Sequence, residues 1–159
     1  MMVRAAVDAD TNGTAFKKTK DKAKKTRIIP IMTRKTFLGI ASFIAVAVGT
    51  FALIFPGILL ESKGVAENAA ANVWVREVGI LLIAVGTAAF LYRSHEDSPT
   101  LKAVFIGNII LQLGLLTIEP IAYANGIITK LSGIVPNTIL HALLASGFAY
   151  YLAKMKKQG

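Results

Sequence analysis

Glu119, Gln112 and Asn108 are the residues best placed to do chemistry inside an otherwise apolar stretch of this chain. Their spacings of seven and four put them on one helical face, within about 40° of each other. Asn137 and His141, four apart, share a face of a later apolar stretch, and Arg76 and Glu77 open an earlier one. A carboxyl among apolar groups takes up a proton unless a cation stands beside it; next to Arg76 or a protonated His141, Glu119 stays charged. A Glu–His pair at such depth can relay protons or act as acid and base. The same side chains can instead close an ion pair and fix helix register. Asn108 and Gln112 read first as hydrogen-bonding glue between helices. For Glu119 the structural and functional readings stand level. Arg76, Glu77, Glu119, Asn137 and His141 are expected to form one layer by depth. Spacing alone does not say whether they face one another.

No catalytic assignment follows, and no cofactor or metal is expected. The chain has no cysteine, which excludes disulfides, thiolate metal sites and thiol redox relays. His141 has one possible histidine companion, His95, which falls in a polar turn at the opposite membrane face. A bis-histidine haem within one chain is therefore excluded. Whether His141 alone ligates a pigment stays open. Glycine-rich spacing occurs only inside apolar stretches, so there is no phosphate loop.

The elements that must carry these residues are four long apolar segments. They run over about 37–60, 73–92, 101–124 and 134–153, within a domain at 36–154. A bilayer core about 30 Å thick takes about 20 apolar residues per helix. The segments are apolar at consecutive positions and too long for barrel strands, so helices are predicted. The predicted fold is an all-α integral membrane protein, a four-transmembrane-helix bundle. Pro56-Gly57 is expected to bend or fray the end of the first span. Ala41, Ala45, Gly49 and Ala52 form a small-residue stripe suited to close helix packing inside the bundle. Ala47-Val48-Gly49-Thr50 recurs as Ala84-Val85-Gly86-Thr87, a match that apolar text of few residue types readily produces.

Fifteen of the eighteen Lys and Arg residues fall on the side of the two termini when the chain crosses four times. Only Lys63, Arg76 and Lys130 fall on the other. The positive-inside rule then predicts both termini in the cytoplasm, in the cytoplasmic (inner) or an equivalent membrane. Trp74 and Tyr123 at outer ends, and Tyr92, Tyr150 and Tyr151 at inner ends, suit the headgroup layers.

Residues 1–35 are expected to be a disordered basic cytoplasmic tail, with a transient helix around 16–25, and 155–159 a short basic C-terminus. Lys17, Lys18, Lys20, Lys22, Lys24, Lys25, Arg27, Arg34 and Lys35 are expected to bind the anionic lipids of the inner leaflet. Nucleic acid is disfavoured, because Phe16 is the one aromatic before the first span and no known module is present. A membrane-protein partner or a second copy is the other expected partner. With no soluble domain, the favoured function is a non-enzymatic component of a membrane complex or a binder of a lipid-like ligand. A small proton-coupled transporter or channel using Glu119 is the alternative, and a lipid-modifying enzyme built on the same polar layer is another.

Overall fold

The first helix begins where Thr33 caps it, its side chain accepting from the Thr36 amide at 3.1 Å. The computed structural model describes residues 32–155, and all its regular elements are helical. They are α1 (Arg34–Ile54), α2 (Pro56–Ser62), α3 (Ala69–Tyr92), α4 (Pro99–Ala124) and α5 (Val135–Lys154), with a 3-10 turn at Leu131–Gly133 before α5. Asn68 and Ser98 cap α3 and α4 in the same way as Thr33 caps α1. Pro99 and Pro136 sit in the first turns of α4 and α5, where a missing N–H costs nothing.

Two expectations change here. Arg34 and Lys35 belong to the first turn of α1 rather than to a tail, because the Thr33 cap starts the helix ahead of them. Pro56 does more than bend one helix. The helix stops at Ile54, Phe55 adopts φ −123° and ψ 53°, and Pro56 starts α2 as a separate element. Lys17, Lys18, Lys20, Lys22, Lys24, Lys25, Arg27, the transient helix at 16–25 and the last four residues lie outside the described residues.

Among the described residues, four helical stretches are long and apolar enough to cross a membrane: Arg34–Ile54, Ala69–Tyr92, Pro99–Ala124 and Leu131–Lys154. Only 17–33% of their most apolar windows is buried inside the protein. Phe43, Leu81, Leu91, Ile110 and Leu143 are each exposed by more than three-fifths. Soluble monomers rarely leave large contiguous apolar patches uncovered. This outward apolar surface suits a multi-pass membrane protein, in which lipid replaces water.

The dominant pairings are α1 with α3 and α4 with α5, both antiparallel. In the first pair the backbones almost touch. A Cβ added to Gly49 would lie 2.6 Å from the Gly79 carbonyl, and one on Gly79 would lie 2.7 Å from that of Gly49. A Cβ added to Gly86 would lie 3.0 Å from both the Ser42 carbonyl and the Ala45 methyl, so the Gly49 and Gly86 of the similar tetrapeptides lie on one seam. The small-residue stripe of α1 thus packs within the chain. Gly107 and Gly114 of α4, by contrast, face open space.

The two pairs join at both ends. At the end carrying Met32 and Met155, Phe148 stands edge-on to Phe37 and Phe105, with ring centres 5.0 and 5.6 Å away. Leu38, Ala41, Leu101 and Tyr151 complete this buried cluster, and the Tyr151 hydroxyl donates to the Met32 carbonyl at 2.6 Å. Arg34 ties the start of α1 to the α3–α4 turn, pairing with Asp97 and donating to the His95 carbonyl at 2.6 Å. At the other end, the Thr129 and Lys130 amides both donate to the Lys63 carbonyl at 3.1 Å. The Lys130 ammonium donates to the Glu61 carbonyl at 2.9 Å.

Candidate functional site

Between these two closures lies a cavity of about 330 Å³ lined by all four long helices and α2. Its two sides differ. The α1–α3 side is apolar from Ala41 and Val48 to Val78 and Val85, with the Trp74 indole at one end. Opposite it, α4 and α5 present a ladder of polar side chains: Glu119 and Asn137, then Gln112 and His141, then Asn108. The seven-and-four spacing on α4 produces that ladder, because each of these residues returns to the same helical face.

The top rung holds charge. The Lys63 ammonium lies 2.5 Å from Glu119 Oε1 and also donates to the Gly133 carbonyl at 3.2 Å. Asn137 Nδ2 donates to the same Glu119 oxygen at 3.1 Å. The other oxygen, Oε2, is buried and has no partner. Both side chains of the ion pair are more than four-fifths buried, so the attraction is weakly screened and either charge alone would be costly. One rung down, His141 Nδ1 and Gln112 Oε1 meet at 2.6 Å. Asn108 donates to the Val104 carbonyl of its own helix at 2.9 Å. Asn108 and Gln112 are both buried.

Of the candidates read from spacing, Glu119, Asn137, His141, Gln112 and Asn108 come together around this cavity. Arg76 and Glu77 do not. Both are exposed and neither lines it, because the face of α3 that looks inward carries Val75, Val78 and Leu82 instead. The cation beside Glu119 is Lys63, which the charge pattern alone assigns to an outer connection. Its signal was local. Lys63-Gly64 is a helix end, with Gly64 at φ +70° and the Val65 amide bonding back to the Leu60 carbonyl at 3.0 Å. That turn holds Lys63 over the cavity instead of releasing it to solvent.

No group of three or more His, Cys, Asp or Glu residues able to hold a metal occurs among the described residues. The fold and site define a class: among the described residues, an all-helical protein with four helices fit to cross a membrane and a cavity between two helical pairs, one of which lines it with a row of polar side chains. No known protein family, curated protein or solved structure matches the chain.

Proposed function

We propose that the protein resides in a cytoplasmic or equivalent inner membrane and holds one amphipathic, lipid-like ligand between its two helical pairs. The observation that carries this reading is the cavity: about 330 Å³, mostly apolar, with a row of polar side chains confined to the α4–α5 side. Small-molecule sites typically occupy about 300–1,000 Å³, with mostly apolar walls and a few placed polar groups. Mass spectrometry after gentle solubilisation tests it. A lipid-like molecule should co-purify with the wild type and be lost from Leu115→Trp, which fills the cavity. Its absence from the wild type, or its retention in that variant, counts against the reading.

Both termini are proposed to be cytoplasmic, on the strength of the lysine and arginine bias. The cysteine-free chain suits labelling by an impermeant maleimide. Asn125→Cys should react in intact cells and Lys20→Cys only after permeabilisation; the reverse pattern would invert the topology. The basic stretch before α1 is proposed to rest on the anionic leaflet on the same side.

A second reading, proton-coupled transport through Glu119, draws on one observation: Oε2 is buried without a partner while Oε1 takes two bonds. In liposomes, Glu119→Gln should then abolish pH-driven flux while leaving the fold intact. Wild-type liposomes showing no such flux across a broad substrate panel would end this reading.

A further inference from the structure

The middle rung of the ladder has hydrogen-bonding capacity that its neighbours leave unused. Gln112 and His141 engage each other through one atom apiece. With the amide oxygen toward the ring, Nδ1–H donates, Nε2 is left as a bare acceptor and the amide nitrogen keeps its hydrogens. With the amide turned over, Nδ1 accepts, Nε2–H becomes the donor and the amide oxygen is left over. Either way the pair retains at least one donor and one acceptor. Among the described residues, the buried polar side-chain atoms without a partner are Asn72 Oδ1 and Glu119 Oε2. The spare atoms of Gln112 and His141 are therefore not sealed in protein, and both side chains line the cavity.

Charge narrows the ligand further. Lys63 and Glu119 are the charged side chains among the lining residues, and they compensate each other. No unpaired cation is left for a phosphate or carboxylate head, which would pay the full cost of leaving water. A hydroxyl both donates and accepts, matching the spare pair in either amide orientation.

Resting on the reading of the cavity as a ligand site, we infer that its ligand is an uncharged, hydroxyl-bearing amphiphile. A hydroxyl of its head exchanges hydrogen bonds with Gln112 and His141, and its chain lies along the apolar α1–α3 side. Long-chain alcohols and monoacylglycerols share this chemistry.

The test offers the detergent-solubilised full chain three probes with one oleoyl chain and different heads: monooleoylglycerol, oleic acid and oleoyl lysophosphatidate. Native mass spectrometry at neutral pH reads the occupancy of each. Monooleoylglycerol should exceed both charged probes by about fivefold or more, the worth of about one net hydrogen bond. Gln112→Leu and His141→Leu should erase that preference, and His141→Gln, which keeps a donor and an acceptor, should retain it. Equal or tighter binding of a charged probe that Leu115→Trp removes would overturn the head assignment while leaving the cavity reading intact. Binding of no probe, or binding that Leu115→Trp leaves unchanged, would overturn both.

Discussion

Lys63 and Glu119, 56 residues apart in sequence, meet at 2.5 Å in the wall of the cavity and join the two helical pairs there. Removing one partner strands the other in a mostly buried site, so each single change should cost more than the pair is worth. Lys63→Met and Glu119→Gln should each lower the thermal unfolding midpoint in detergent. The double variant should recover part of the loss, with a coupling of about 1–3 kcal/mol. Strict additivity of the two changes would mean that the ion pair holds nothing together.

The α1–α3 seam should be the least forgiving part of the bundle. Gly49→Val or Gly79→Val pushes a side chain into a facing carbonyl within 3 Å, with an expected cost of about 1–3 kcal/mol. Gly107→Ala, on the open face of α4, should instead be neutral or stabilise by up to about 1 kcal/mol. Thermal melts of the three variants in one detergent decide the point. Equal tolerance at all three positions would contradict the seam.

Two glycines with the same left-handed backbone should respond differently. Gly64 and Gly126 have φ +70° and +71°, so alanine at either carries a conformational cost of about 1–2 kcal/mol. At Gly64 the added methyl also collides with the Thr129 hydroxyl, whereas Gly126 has nothing within 4 Å. Gly64→Ala should therefore be clearly the worse of the two in a melting comparison.

Arg34 should matter modestly. Its pairing with Asp97 is about one-quarter exposed at each side chain, and pairs of this kind contribute about 0.5–1 kcal/mol. Arg34→Ala should lower the melting midpoint slightly. Raising salt should bring the wild type toward the variant. A variant gap that does not change with salt would locate the effect in packing rather than charge.

His141→Leu should destabilise by about 1–3 kcal/mol, because the buried Gln112 amide loses its partner. His141→Leu with Gln112→Leu should regain much of that loss. The contrast between single and double variant, read by thermal unfolding, separates a lost hydrogen bond from a lost shape.

Much of this arrangement was legible in the residues. The length of the apolar runs announced four helices, and the spacing of Asn108, Gln112 and Glu119 announced one shared face, because helical periodicity is a property of a single segment. What faces that ladder belongs to the packing of separate segments, which spacing does not encode. Arg76 shows this: it lies near the start of α3 yet points away from the cavity. Lys63 shows it from the other side. The helix restart at Pro56 and the left-handed turn at Gly64 place it against Glu119, and neither follows from counting charges.

The stop at Phe55 has a mechanical consequence. With 21 residues at about 1.5 Å each, α1 by itself reaches about 32 Å, enough for the apolar thickness of a bilayer. The seven residues of α2 lie beyond that length and reach about 10 Å from Phe55 to Lys63, whose carbonyl is held by the Thr129 and Lys130 amides. A rotation of about 10° at Phe55 would carry Lys63 by about 2 Å, the difference between an ion pair and none, so those two backbone bonds fix the ion pair as well as the turn.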